Sequence, residues 1–199
     1  MSGSGLFYHE QVPATVLIAQ AVGITASAFL TGQSAAISYA TVPSILLAPA
    51  PLAARQWKKL FGIGARVAPG LSIVSAVACG YLAYRESPSS PAFKLYAAAA
   101  VLVSSTIPYT LLLMLPTNKK LVEKSDSLAS TELTDKAAEA GIAKEETVHA
   151  LIDKWATFNL GRAILAGIGA LCATYAVLAR IDVVGVQEVG LTGGADRLG

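Results

Sequence analysis

Two cysteines, two histidines and a charged fraction of only 14% leave this 199-residue chain few routes to familiar chemistry. Cys79 and Cys172 each sit inside an apolar stretch, so neither a disulfide framework nor a CxxC redox centre is available. They read as small buried packing residues. His9 and His149 lie far apart, so no histidine cluster exists for haem, copper or a non-haem iron triad. No dinucleotide fingerprint or P-loop appears, because the GIGA repeats at Gly62 and Gly167 fall in apolar helical sequence. A net charge of +2 without a Lys/Arg run argues against a nucleic-acid partner. The opening MSGSGLFYHEQV has no basic n-region, and the apolar run behind it exceeds the roughly 7 to 15 residues of a cleavable signal. That run is read as a retained first span.

What the chain does have is length of apolar sequence. Hydrophobic residues make up 54% and mean hydropathy is +0.56, whereas soluble domains average about 25% charged. Four stretches, centred near Ala26, Ala76, Ala100 and Ala170, are long enough to cross a hydrocarbon core of about 30 Å as helices. The first runs from Pro13 through Ser34 and stays apolar to Leu47, so a bend is expected near Gly32 or Pro43. The second covers Ile63 to Tyr84 with Pro69 inside, the third Leu95 to Leu115 with Pro108, and the fourth Phe158 to Ile181. Gly161, Gly167 and Gly169 in the fourth allow close helix packing. Between the third and fourth, Pro116 to Lys154 mixes charges of both signs in Ala-rich sequence and reads as a solvated helical hairpin. The tail from Asp182 to Gly199 is Gly-rich and reads as frayed. The expected fold is all-α: one domain over 1–199, a four-transmembrane-helix up-down-up-down bundle with a cytoplasmic helical insertion between helices 3 and 4.

Orientation follows from the basic residues. Arg55, Lys58 and Lys59 lie in the first connection, and Lys119, Lys120, Lys124, Lys136, Lys144 and Lys154 in the third. The second connection adds only Arg85 and Lys94, and the carboxy-terminal tail Arg180 and Arg197. The positive-inside rule puts the first and third connections in the cytoplasm and both termini on the lumenal side of an endomembrane such as the endoplasmic reticulum.

Trp57, Pro116, Thr117, Asn118, Trp155, Asn159 and Arg162 then gather near one membrane face. Trp155, Asn159 and Arg162 are spaced i, i+4, i+7, which aligns an indole, an amide and a guanidinium on one helical stripe. Arg162 falls inside the fourth span, where an unpaired guanidinium costs a few kcal/mol or more. It serves either as an anion clamp facing inward or as a side chain reaching out to the headgroups. Trp57 and Trp155 read as aromatic-belt anchors or as a surface for flat rings, and Asn118 as a helix terminator or a ligand contact. Tyr109, after Pro108, needs a hydrogen-bond partner if buried. His149 reads as solvent-facing or as a general base, and His9 is on the opposite face.

The pattern of Gly32, Ser38 and Pro43, Trp57, IPYTLLLMLPTNKKL and KWATFNLGR resembles the small membrane anthrone oxygenases of fungal polyketide pathways. The resemblance spans nearly the whole chain, and its most specific parts are the PTN at Pro116 to Asn118 and the W-x3-N-x2-R at Trp155 to Arg162. It implies a monooxygenase of secondary metabolism that converts a polycyclic aromatic anthrone to an anthraquinone, with molecular oxygen as co-substrate and no metal or other cofactor. It further implies catalytic roles for Arg162, Asn159, His149 and Tyr109, and substrate binding by Trp155, Trp57, Asn118 and Thr117. The competing reading is a non-enzymatic membrane scaffold, in which the same stripe is an interhelical hydrogen-bond network. A cavity beside Arg162 favours the enzyme and a filled core the scaffold. A transporter is disfavoured by the lack of an internal repeat.

Overall fold

The computed structural model describes residues 12–192, with side chains as far as Ala179. The amino-terminal tail with His9, and Arg197, lie outside the described residues, as does the side chain of Arg180. Every described element is helical. α1 (Ala14–Ala36) passes through a π turn (Ile37–Thr41) into the short α2 (Val42–Ile45). α3 (Ala50–Arg85) is followed by α4 (Pro91–Tyr109), a second π turn (Thr110–Met114) and α5 (Leu115–Ser127). α6 (Val148–Thr192) is the last described element. Four stretches are long and apolar enough to cross a membrane: Ala14–Ile45, Ala50–Arg85, Pro91–Ser127 and Val148–Ala179.

The apolar exterior agrees with a lipid environment. Ile18, Phe29, Val77, Val101, Ile164, Leu171 and Leu178 all face outward, an apolar surface too extensive for a monomer in water. The interior is built from small residues. Ala26, Ala68, Ala78, Ala99, Ala166 and Ala173 are buried, and buried hydroxyls tie the helices together. The Ser75 hydroxyl donates to the Gly23 carbonyl at 2.8 Å, and Ser72 and Thr106 bond across α3 and α4 at 2.9 Å. Such contacts are the means by which helices associate where no hydrophobic drive separates them from lipid.

The glycines of α6 act as expected of close-packing positions. A Cβ on Gly169 would lie 2.7 Å from Val103 Cγ2 and 3.3 Å from the Ala99 carbonyl oxygen, and one on Gly167 would lie 3.1 Å from Thr31 Cγ2. Gly169→Val should therefore cost about 1–3 kcal/mol through overpacking and lower the unfolding temperature in detergent. Gly32→Ala, where a Cβ meets open space, should leave that temperature nearly unchanged.

Several boundaries differ from the sequence reading. The second span starts at Ala50 rather than Ile63, because Pro51 sits in its first turn, where a missing N–H is harmless. The basic residues Arg55, Lys58 and Lys59 are thus helical, not in a loop. The third span does not stop at Leu115, and Asn118 does not terminate it; the chain stays helical to Ser127. The intervening π turn, closed by the Leu115 N–H donating to the Thr110 carbonyl, relieves crowding from Pro108 and Pro116 on either side. The bend expected near Gly32 or Pro43 is the other π turn, just before Pro43. α6 begins ten residues before Phe158, at Val148, and the tail is helical to Thr192 rather than frayed from Asp182.

The polar segment is helical only at its two ends, in α5 to Ser127 and in α6 from Val148. Residues 128–147 form successive turns with one short 3₁₀ stretch, Lys144–Glu146. Local side chains compete for the backbone there: the Asp135 carboxylate accepts the Ala137 N–H at 2.8 Å, and Gly141 takes a left-handed φ of 83°. Glu139 accepts the Val148 N–H with both carboxylate oxygens at 3.0 Å and so caps α6. Its Oε1 also bonds Lys124 at 3.5 Å, tying α5 to the segment.

Candidate active site

One end of the bundle holds a cluster of Val42, Ile45, Ala53, Trp57, Met114, Leu121, Ile152 and Trp155. Beside it a cavity of ≈ 250 Å³ opens between α3 and α4. This is just below the roughly 300–1,000 Å³ typical of ligand pockets. Both π turns reach it: Ile37 comes from the first, and Thr110, Leu111 and Met114 from the second. Pro69 of α3 also lies in its wall, whereas α6, which contributes Trp155 and Arg162, is uninterrupted. π bulges and prolines break the regular packing of side chains, and the space here is the result.

The stripe of α6 closes the inner side. Asn159 is completely buried, and its amide nitrogen donates to the Ser34 carbonyl at 2.7 Å and the Ser38 hydroxyl at 2.9 Å. Those two bonds leave the amide oxygen to face Arg162, which donates to it from Nη2 at 2.6 Å. A weaker contact joins the same nitrogen to the Ser34 hydroxyl at 3.5 Å. Ser38 in turn donates to the Ala156 carbonyl at 3.0 Å, completing a network between α1, the first π turn and α6. Arg162 lines the cavity, so it is turned inward, and its Nε is buried without a partner. Its neighbours are neutral: none of the salt bridges among the described residues includes it. A guanidinium oriented by an amide and uncompensated by a carboxylate is a ready receptor for an anion.

The indoles are not belt anchors. Trp57 is 0% and Trp155 3% exposed, and the two meet edge to face at 5.9 Å, with Phe61 stacked on Trp57 at 4.9 Å. Trp155 and Phe61 line the cavity, while Trp57 supports both from behind. Both indole N–H groups are buried without partners, as is the Asn118 Oδ1. Asn118 lines the cavity, and its neighbour Thr117 is buried without doing so. Three residues of the wall thus each hold one polar atom unused by protein: Trp155 Nε1, Arg162 Nε and Asn118 Oδ1.

Of the expected residues, Asn118, Trp155 and Arg162 line the cavity; Trp57, Thr117, Asn159, His149 and Tyr109 do not. His149 Nε2 lies 2.9 Å from the Ala48 carbonyl and fastens α6 to the turn before α3, so it is not a free solvent-facing side chain. Tyr109 packs with its hydroxyl against Gly161, where a Cβ would collide with it. Sequence reasoning passed over Ser34, Phe61, Thr110 and Met114. Ser34 was detectable as a hydroxyl within an apolar run; the others come to the cavity only through the π turn and the stacking on Trp57. Among the described residues no three His, Cys, Asp or Glu side chains gather as a metal-binding group would require.

Comparison with known proteins bears on this geometry. The model of the family described as anthrone oxygenase matches residues 57–172, from Trp57 through the whole α6 stripe. The chain belongs to the anthrone oxygenase family. An anthrone oxygenase of Aspergillus fumigatus is 31% identical over 169 residues, covering 79% of this chain and 91% of its own. One from Aspergillus novofumigatus is 29% identical over 79% of this chain and 92% of its own, and the noranthrone monooxygenase of Aspergillus flavus 28% over 72% and 65%. No solved structure matches. As an anthrone oxygenase family member the chain is an oxygenase, built on four helices fit for a membrane.

Proposed function

We propose that this protein oxidises a polycyclic anthrone to the anthraquinone with molecular oxygen, as a step in fungal polyketide metabolism. The observation that carries the reading is the cavity itself: a mostly apolar slot faced by stacked aromatic rings, with one uncompensated guanidinium at its inner side. A scaffold would have packed that space.

The chemistry asks little beyond binding and charge. Removal of one proton from the methylene between the two aromatic rings gives an electron-rich aromatic anion, with its negative charge on the former carbonyl oxygen. That anion reduces oxygen by one electron, the radical pair combines to a carbon-bound peroxide, and the O–O bond breaks as the remaining methylene proton leaves. One oxygen atom becomes the new carbonyl and the other departs as water with both methylene hydrogens. The substrate is the reductant, so the reading requires no resident metal or other cofactor.

Arg162 takes the oxyanion role, fixed by Asn159, and stabilises charge as it develops. Trp155, with Trp57 behind it, forms the ring surface, and the free Asn118 oxygen accepts a hydroxyl hydrogen from the substrate. Thr117 supports Asn118. Tyr109, packed against Gly161, and His149, held by Ala48, both position α6 from outside the cavity lining, so the proton is passed to water in the cavity.

The bundle is read as up-down-up-down with residues 128–147 cytoplasmic and both termini lumenal. Val16 packs with Leu82, Ala83, Tyr96 and Ala176 at one end, which supports antiparallel neighbours. The excess of lysines at the other end supports the cytoplasmic side. Purified protein in lipid should consume oxygen when given an anthrone, with one quinone formed per oxygen. Its visible spectrum and metal content should show no stoichiometric chromophore or metal. Activity lost by a chelator and restored by a metal would overturn the cofactor-free scheme, and absence of quinone formation the substrate class.

A further inference from the structure

The cavity is not sealed, and the residues at its opening show where it leads. Most of its lining is partly or fully buried, but Ala65 and Pro69 on α3 and Leu111 and Leu115 beyond α4 are exposed while still lining it. Leu111 is 57% exposed. The flanking outer surface is apolar on both sides, with Ile63 and Val67 on α3 and Leu112 and Leu113 in the π turn all exposed. The polar groups of the lining are withdrawn from the surface: Ser72 and Thr106, bonded to each other, and Asn118 and Trp155 are buried, and Arg162 is partly buried. The opening is thus in the side of two membrane-spanning helices, with a wholly apolar rim.

Arg66 fixes its depth. This residue is exposed on α3 next to Ala65, and a long cationic side chain there extends to the headgroup layer. The opening then lies just below that layer, where flat aromatic molecules with polar edges collect, as tryptophan rings do.

We propose that Ala65 and Leu111 are specificity-determining residues that form the two sides of a lateral mouth, through which a planar apolar substrate enters from the lipid rather than from water. The proposal rests on the substrate class assigned above, and its first test is independent of that assignment. A spin label on Leu111→Cys in proteoliposomes should relax faster with oxygen, which dissolves in lipid, and stay insensitive to a water-soluble nickel chelate. Collisions with the chelate would overturn the proposal, because the opening would then face water.

The second test narrows the mouth. Ala65→Phe adds a ring at an exposed position without displacing core atoms, and should lower kcat/KM for an anthrone by at least tenfold with kcat within twofold. If no quinone forms at all, entry is read from quenching of Trp155 fluorescence by anthrone carried in vesicles, and Ala65→Phe should slow it by the same factor. Unchanged entry in this variant overturns the proposal; loss of turnover in the parent protein with normal quenching overturns only the assigned reaction.

Discussion

Replacing Arg162 by alanine should lower anthrone-dependent oxygen uptake by roughly a hundred- to a thousandfold, the scale on which removal of one preorganised oxyanion donor is felt. The expectation rests on the inward guanidinium and its neutral surroundings, since nothing else among the cavity residues carries positive charge. In the variant Asn159 keeps its bonds to Ser34 and Ser38, so the helix contacts made by that amide persist and the protein should elute as folded material in detergent. Arg162→Lys separates charge from geometry. The ammonium keeps the charge but loses the planar fork oriented by Asn159, and partial activity is expected. Full turnover in Arg162→Ala, measured with an oxygen electrode on folded protein, would eliminate the oxyanion role.

The second large effect is expected from Asn159→Asp, a change of one group on a fully buried side chain. The amide now gives two hydrogen bonds and takes one from Arg162 at 2.6 Å. A carboxylate would lose both donated bonds and neutralise the guanidinium from a built-in position. Opposite charges at 4 Å attract by roughly 4 kcal/mol at an effective dielectric of about 20, which a substrate oxyanion would have to compete against. Activity should fall roughly a hundredfold. Asn159→Ala, by contrast, keeps the positive charge but deprives the Arg162 Nη2 of its close partner and removes the ties from α6 to Ser34 and Ser38. It should lose activity and also destabilise the bundle by roughly 1–3 kcal/mol, the penalty for an unsatisfied buried group. The pair distinguishes charge compensation from packing: if the Asp variant keeps turnover, the oxyanion is stabilised elsewhere.

How far the sequence could be read depended on the kind of signal. The four apolar helices were legible because run length and the lack of charge are conditions that only a lipid-facing helix meets. The inward turn of Arg162 was legible as one of two alternatives, from the cost of placing that group in hydrocarbon. Helix ends were not, because Pro51 and Pro116 look like breaks until their place in the first turn of a helical segment is known. Residues 128–147 were misread for the opposite reason. Their Ala, Glu and Lys content favours helix, but Thr134, Asp135 and Gly141 supply local bonds and a left-handed φ that fix turns instead. For the two tryptophans, belt anchor and ring surface stayed open, because Trp57 is buried by Trp155, distant in sequence, as well as by Phe61 one turn along α3.

The π turn at Thr110–Met114 sets a rotational phase. One residue in an α-helix is worth about 100° about the axis, so the single extra residue there decides which way every later position of that helix points. Asn118 looks into the cavity, and Lys119 and Lys120 away from it, because of that offset. Deleting Leu112 or Leu113, neither of which lines the cavity, would swing the amide out of the slot. In this architecture the wall of the cavity can be re-aimed by length alone.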